Sequence, residues 1–178
     1  GDYGWQERLH TFLRYANGAK ITRLDLAHDD YDGTYLDIDD LNERETEGQF
    51  YYFGKPARVT WYGDWKYLDR DKLGRTLQIG CRTSDKLLRA YEKGKQLGDK
   101  NSLWVRLEVE LKAKHTHIPF DAVINPSAYF INLYPCFKEL FQYDDQTQSR
   151  IEYVKRTTQI LVDKGIDIFR HQFGRWLG

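Results

Sequence analysis

Hydrophobic and polar residues alternate most regularly in residues 102–114, SLWVRLEVELKAK. Valine or leucine occupies every second position from Val105 to Leu111, and successive side chains of a β-strand point to opposite faces. The pattern therefore predicts a strand with one apolar face. The residues between the apolar ones share the other face: Trp104, Arg106, Glu108, Glu110 and Lys112. This face holds two neighbouring carboxylates beside an arginine, although half-exposed sheets commonly carry such a polar stripe.

The patterns in the rest of the chain predict an α+β fold. Further strands are predicted at residues 20–31, 49–62, 65–67, 75–81 and 87–93. Helices are predicted at residues 5–15, 39–47, 118–125, 127–141, 148–164 and 166–177. Asp39 or Asp40 is expected to cap the second helix, and Pro135 to kink or end the fourth. We expect a central antiparallel sheet of about five or more strands with helices packed on one face.

The run at residues 84–95, SDKLLRAYEKGK, sets Tyr91 between Arg89 and Lys93 at alternate positions. In an extended chain all three side chains point the same way. A tyrosine hydroxyl near positive charge ionises below its ordinary pKa of about 10, and a phenolate can attack phosphorus to give a covalent phosphotyrosine. The same residues also fit a half-buried sheet tyrosine among solvated charges. A helix stays open as well, although the short run before Gly94 favours a strand.

Asp25 lies in the middle of the strand predicted at residues 20–31, between two leucines. Strand interiors are depleted in aspartate, so an acid there needs a partner or a purpose. Asp25, Glu108 and Glu110 could converge on one divalent ion, and oxygen-only ligands favour Mg²⁺ or Mn²⁺ over zinc. Such an ion would polarise a scissile phosphate and neutralise charge on its oxygens.

The histidines fit this site poorly. By strand parity, His115 and His117 continue the apolar face of residues 102–114, away from its carboxylates. His28 similarly lies on the face opposite Asp25. We therefore expect a metal site built from carboxylates.

Composition bounds the possible functions. A chain of 178 residues is expected to form one domain, residues 1–178. Cys81 and Cys136 lie far apart without metal-ligand spacing, so we expect reduced thiols and an intracellular protein. No apolar run has membrane-spanning length, and no signal peptide opens the chain. The chain lacks methionine and begins with Gly-Asp, which we expect of a tag remnant or a fragment of a longer protein.

Charge is unevenly distributed, although the formal net charge is zero. Residues 25–47 hold ten acidic residues and one basic residue, whereas residues 52–114 hold fifteen Lys and Arg against eight Asp and Glu, with tryptophans and tyrosines between them. Cations that neutralise phosphates and flat rings that stack on bases are typical of single-strand binding surfaces. Aromatic residues in strands also build ordinary cores, so both interpretations stay open.

Three segments occur in a fixed order: RLDLAHDDYDG at residues 23–33, GRTLQIGCRTSDKLLRAYEKGKQLGD at residues 74–99 and WVRLEVELK at residues 104–112. Together they resemble the replication initiation factor family, the Rep-trans type of rolling-circle initiators of staphylococcal plasmids, conjugative elements and filamentous phages. The nearest likeness is to the RstA-type replication proteins of filamentous vibrio phages. PFDAVINPSAYF at residues 119–130 and RHQFGRWLG at residues 170–178 add to it.

The resemblance implies an enzyme that cuts one strand at a replication origin, stays attached to the 5′ phosphate through tyrosine and later rejoins the displaced strand. It implies Tyr91 as nucleophile with Arg89 and Lys93 beside it. It implies Asp25 and Glu108 as metal ligands, with Glu110 as a further candidate. The cations predicted to contact DNA are Arg58, Arg75, Arg82, Lys95 and Arg106.

The resemblance also implies a fold related to the His-hydrophobic-His nicking endonucleases. This chain lacks their signature, since His115 and His117 flank a threonine, and that absence favours a carboxylate metal site. The implied partners are double-stranded origin DNA, single-stranded DNA, a host helicase and a second copy of the chain, in the cytoplasm of a bacterial host. Family members often run longer, which leaves origin recognition and dimerisation open.

Two other functions stay open. One is a non-catalytic DNA-binding or replication-regulating module that retains the fold, and the other is a metal-dependent hydrolase whose nucleophile is water.

Overall fold

The computed structural model describes residues 4–66 and 74–141. One antiparallel sheet contains the five described strands: β1 (Arg23–Asp30), β2 (Val59–Tyr62), β3 (Thr76–Ile79), β4 (Lys86–Glu92) and β5 (Val105–Lys112). The described helices are α1 (Gly4–Tyr15), α2 (Ile38–Thr46), α3 (Lys93–Gln96), α4 (Pro126–Ile131) and α5 (Phe137–Leu140), with a 3-10 helix at Phe120–Val123. The strand order across the sheet is β1-β5-β4-β3-β2. The predicted α+β fold with an antiparallel sheet is confirmed.

The alternation in residues 102–114 places β5 as the sequence predicted. Val105, Leu107, Val109 and Leu111 are buried. They form one core cluster with residues of α2, α4 and α5, among them Ile38, Leu41, Phe130 and Phe137. The helices therefore cover one face of the sheet and leave the polar face of β5 on the other side.

The N-cap of α2 differs from the prediction. Asp37, not Asp39 or Asp40, caps this helix, and its Oδ1 accepts hydrogen bonds from the backbone N–H groups of Asp39 at 2.8 Å and Asp40 at 3.1 Å. The two predicted residues instead occupy the first turn, where a carboxylate is favourable beside the positive end of the helix dipole.

Several predicted elements are shorter, divided or absent in the structure, and the helix predicted at residues 118–125 is only a 3-10 helix at Phe120–Val123. Of residues 49–62, only Val59–Tyr62 form a strand, since Gly54 adopts a positive φ of 86° and Pro56 lacks an N–H for pairing. Residues 65 and 66 form no strand. The helix predicted at residues 127–141 is divided into α4 and α5, and Pro135 lies in the break. The helices predicted at residues 148–164 and 166–177 lie outside the described residues.

Two expectations from composition can be compared with the structure. Cys81 and Cys136 are both free thiols. None of the described helices has the length and apolar character needed to cross a membrane.

Replacing Leu107 by alanine tests whether β5 anchors the core. Leu107 has no exposed surface and lies on β5, an interior strand between β1 and β4. We expect Leu107→Ala to lower the free energy of unfolding by about 2–5 kcal/mol, measured by urea denaturation. Leu97→Ala is the control because Leu97 is 64% exposed. Equal losses in the two variants would contradict this account of the core.

Candidate active site

The face of the sheet away from the helices carries three cross-strand rows of side chains. The tyrosine row consists of Tyr62, Thr76, Tyr91, Arg106 and Asp29. The glutamate row consists of Thr60, Gln78, Arg89, Glu108 and Ala27. The aspartate row consists of Leu87, Glu110 and Asp25. Tyr91 and the three predicted carboxylates thus share one face, as strand alternation requires.

Tyr91 and Glu108 are hydrogen-bonded across β4 and β5. The Tyr91 hydroxyl donates to Oε2 of Glu108 at 3.0 Å, while the other carboxylate oxygen accepts a hydrogen bond from the guanidinium of Arg89. Tyr91 is only 9% exposed. Tyr91 is therefore almost fully buried, and its hydroxyl points to a carboxylate.

The surroundings of Tyr91 disfavour its phenolate, contrary to the expectation from its cationic neighbours. Burial raises the pKa of Tyr91 above its ordinary value, and the charge and hydrogen bond of Glu108 raise it further. Arg106, its cross-strand neighbour, offsets part of that rise. Burial and the closest carboxylate thus outweigh the neighbouring cations.

Lys93 lies near Tyr91, but not through the predicted strand alternation. Strand β4 ends at Glu92, and Lys93 begins the short helix α3. A Cβ on Gly94 would clash with Ser102, so only glycine fits where this turn packs against the chain entering β5. The Nζ of Lys93 lies 5.6 Å from the centroid of the Tyr91 ring and donates to Gln96 at 3.2 Å.

Arg106 is held in the tyrosine row by Asp29. Its Nε and Nη2 donate to the two oxygens of Asp29 at 2.7 and 2.8 Å, and the indole N–H of Trp104 donates to the same carboxylate at 2.6 Å. Burial acts to raise the pKa of Asp29, but the bonds from Arg106 and Trp104 outweigh it, so this pKa lies below its ordinary value. Asp29 therefore stays ionised and fixes the guanidinium beside Tyr91.

Asp25 and Glu110 converge on one cation, the guanidinium of Arg23. Its Nη2 lies 2.6 Å from Oδ2 of Asp25 and 2.8 Å from Oε2 of Glu110. Lys112 binds the other oxygen of Glu110 at 2.5 Å. Asp25 is exposed whereas Glu110 is buried. The two carboxylates place negative charge at one end of the aspartate row, and Arg23 and Lys112 pair with it.

Residues 19–175 match the family described as replication initiation factor. The chain belongs to this family. Among solved structures, it is similar to the rolling circle replication initiator protein from Geobacillus stearothermophilus, with 26% sequence identity and a TM-score of 0.53. The match covers 73% of this chain and 50% of the Geobacillus protein, so it spans half the length of that relative. No curated protein matches the chain in sequence.

The carboxylates of the polar face suit a hard divalent ion by their chemistry. Asp25, Glu108 and Glu110 offer oxygen ligands only, and Asp25 and Glu110 already share one cation. Within the described residues, however, no group of three or more His, Cys, Asp and Glu side chains is gathered as a metal cluster. Glu108 points instead to Tyr91 and Arg89, so metal binding would require the basic partners to move aside.

The cations predicted to contact DNA fall into two groups. Arg58 and Arg82 are exposed, whereas Arg75 and Lys95 bind Glu92, at 3.1 and 3.0 Å. Arg106 lies in the tyrosine row, bound to Asp29. None of these placements tests DNA binding, so the DNA contacts of all five cations stay predictions.

Strand alternation puts Arg23 and Ala27 on the same face as Asp25, but sequence reasoning gave neither Arg23 nor Asp29 a role in the site. Asp29 has the same strand parity in RLDLAHDD, so the same alternation could have added it to this face.

His28 lies on the opposite face of β1, as expected: its ring shares a hydrogen bond with the Tyr35 hydroxyl at 2.7 Å and packs on Phe141. Strand β5 ends at Lys112, so strand parity does not extend to His115 and His117. The exposed His115 ring contacts Asp85 at 3.2 Å.

Replacing Glu108 tests the electrostatic account of Tyr91. We expect Glu108→Gln to lower the pKa of Tyr91, because the substitution removes the adjacent negative charge that favours the neutral phenol. The pKa is measured from the ring resonances of ¹³C-labelled tyrosine, with Tyr91 assigned by the spectrum of Tyr91→Phe.

Glu45→Gln is the matched control, because Glu45 accepts a hydrogen bond from Tyr51 at 2.5 Å and raises the pKa of that residue. It should lower the pKa of Tyr51 and leave Tyr91 unaffected. A Tyr91 pKa that does not fall in Glu108→Gln would show that the carboxylate does not hold the phenol neutral.

Proposed function

We propose that the protein is a rolling-circle DNA replication initiator that nicks and rejoins one strand through a covalent 5′-phosphotyrosine at Tyr91. The observation that carries this proposal is the hydrogen bond from Tyr91 to Glu108 on the polar face, beside Asp25 and Glu110. Family membership and the similarity to the Geobacillus rolling circle initiator support it. Residues 1–178 are proposed as a single nicking domain, and the match spans half of that relative.

The reaction is a transesterification. The Tyr91 oxygen attacks the scissile phosphorus, a new bond forms between phosphorus and this oxygen, and the bond to the 3′ oxygen breaks. The 3′ oxygen leaves with a proton as a 3′-hydroxyl, and the 5′ phosphate remains on Tyr91. Attack by a 3′-hydroxyl on this phosphotyrosine later reverses the steps and releases the tyrosine.

The charged side chains around Tyr91 influence whether its hydroxyl keeps its proton. At rest, Glu108 and burial keep the phenol neutral, while Arg106, Arg89 and Lys93 are close enough to stabilise the phenolate once it forms. An incoming DNA phosphate competes with Glu108 for Arg89 and with the other carboxylates for their basic partners. Binding of the DNA strand therefore releases the carboxylates of this face from their basic partners.

Asp25, Glu108 and Glu110 are the residues that would hold a divalent ion, Mg²⁺ or Mn²⁺. Such an ion supplies Lewis-acid polarisation of the phosphate and offsets the charge of Glu108 beside Tyr91. The protein contributes the all-oxygen ligands, the arginines that bind phosphate and the sheet that fixes both. Double-stranded origin DNA and single-stranded DNA are the proposed ligands.

One observation favours a second function, a non-catalytic DNA-binding module that retains the fold. Tyr91 is only 9% exposed and its pKa is raised, as expected for a structural tyrosine. Such a module would bind DNA through the same face without a covalent step.

Tyr91→Phe separates the two functions. We expect the variant to bind a labelled single-stranded oligonucleotide from the origin as the unaltered protein does, and to form no covalent adduct with it on a denaturing gel in the presence of Mn²⁺. The phenol oxygen is the nucleophile, and the ring that remains preserves the packing.

Tyr62→Phe is the matched control, since Tyr62 lies in the same row and is 52% exposed. It should form the adduct normally. Adduct formation by Tyr91→Phe, or its loss in Tyr62→Phe, would place the nucleophile elsewhere, and no adduct with the unaltered protein would favour the binding module.

Substitutions at the Arg23 contact test the proposed ligands. We expect Asp25→Asn to weaken Mn²⁺ binding and Arg23→Gln to strengthen it, because Arg23 occupies the same carboxylate oxygens. The amount of bound Mn²⁺ is measured by electron paramagnetic resonance of the free ion, without DNA. Glu47→Gln, on an exposed site away from this face, is the control. Equal Mn²⁺ affinity in Asp25→Asn and the control would exclude Asp25 as a ligand.

A further inference from the structure

Two aromatic rings lie where the tyrosine row ends at β1. Tyr31 directly follows β1, Trp104 directly precedes β5, and their ring centroids are 4.9 Å apart at an interplanar angle of 39°. Tyr31 is 60% exposed, so much of its ring is open to solvent. Tyr31 and Trp104 are called the aromatic pair below.

Trp104 is held in place by the charges of the tyrosine row. Its indole N–H donates to Asp29 at 2.6 Å, and the Cζ of Arg106 lies 5.6 Å from its ring centroid. Asp29 fixes Arg106 through two further bonds. One carboxylate therefore orients both the indole ring and the guanidinium that contacts Tyr91.

The loop that carries Tyr31 is also fixed. The buried carboxylate of Asp30 accepts hydrogen bonds at 2.9 Å from two backbone N–H groups farther along this loop. Gly33 adopts a positive φ of 63°, and a Cβ there would lie 2.9 Å from Cβ of Leu103. The loop thus packs closely on the chain beside Trp104, and Leu103, which is 66% exposed, extends the apolar surface.

We propose that the aromatic pair is a stacking site for an unpaired base of the DNA strand that lies across Tyr91. The inference rests on the proposed function and adds to it a subsite for a nucleobase. Neighbouring strands lie about 4.8 Å apart, and only β5 separates β1 from the strand of Tyr91. A nucleotide close to the scissile phosphate could therefore reach the pair.

The chemistry of the pair favours single-stranded DNA. An exposed ring beside a guanidinium offers one surface for a base and one charge for the adjoining phosphate. Every base has a π-face, so stacking tolerates any sequence, whereas a duplex keeps its base faces covered by their neighbours. The pair would hold a base near the cut while the arginines hold the backbone.

The test compares two labelled single strands of equal length by fluorescence anisotropy in EDTA. One is oligothymidylate, and the other is an abasic strand with the same number of phosphates. We expect Tyr31→Ala to weaken oligothymidylate binding about tenfold, the range for one lost base contact, and to leave binding of the abasic strand unchanged. Tyr31→Phe should retain the affinity for both strands because the ring remains.

Tyr15→Ala is the matched control, since Tyr15 is 84% exposed on α1, and it should bind both strands normally. Equal weakening of both strands by Tyr31→Ala, no weakening of either, or equal affinity of the unaltered protein for the two strands would overturn the stacking site. The assay requires no cleavage. A failure of adduct formation at Tyr91 would therefore contradict the proposed function and leave this result standing.

Discussion

The two-residue repeat of β5 is the constraint on which the rest of the structure depends. Leu107 and Val109 have no exposed surface in the helix-covered core, and Glu108 between them must point to the opposite face. A shift of one residue in the pairing with β1 or β4 would move this carboxylate into the core, where an unpaired charge is very unfavourable. The apolar contacts therefore fix the register that joins Tyr91 to Glu108 and Asp25 to Glu110.

Charge balance is the second organising feature, and it follows from that register. Each acidic residue of the polar face has a basic partner: Asp29 with Arg106, Glu108 with Arg89, Glu110 with Lys112 and Asp25 with Arg23. The face is thus nearly neutral at rest, and Tyr91 keeps its proton. The same arginines are the side chains best suited to bind phosphate in two-pronged contacts. Under the proposed function, a bound DNA strand therefore competes with the resting carboxylates for one set of cations.

The sequence predicted the parts of this arrangement that depend on local periodicity. The alternation of residues 102–114 was enough to place Glu108 and Glu110 on one face, and the strand patterns gave the antiparallel α+β sheet. Strand order could not be predicted, since β5 pairs with β1, a strand far earlier in the chain. Ion pairs such as Arg23 with Glu110 depend on that pairing and were missed for the same reason.

Two other predictions about Tyr91 and its neighbours were wrong because they depended on the folded structure. Strand β4 ends at Glu92, so Lys93 reaches Tyr91 from the short helix α3 rather than from a strand. Within this helix, Gly94 packs so closely on Ser102 that a Cβ would clash. The pKa of Tyr91 was predicted in the wrong direction, because burial and the carboxylate of Glu108 are properties of the folded sheet. A sequence shows which charges are neighbours along the chain, whereas the fold determines which charges face each other on adjacent strands.

The central claim is that the polar face uses Tyr91 to form a phosphodiester bond with DNA. Its most direct test is peptide mapping by mass spectrometry after the purified protein reacts with an origin oligonucleotide and Mn²⁺ and the DNA is digested to a residual nucleotide. The account predicts one modified peptide, with the nucleotide phosphate attached to Tyr91. A nucleotide on another tyrosine, or cleaved DNA with no modified peptide, would contradict it.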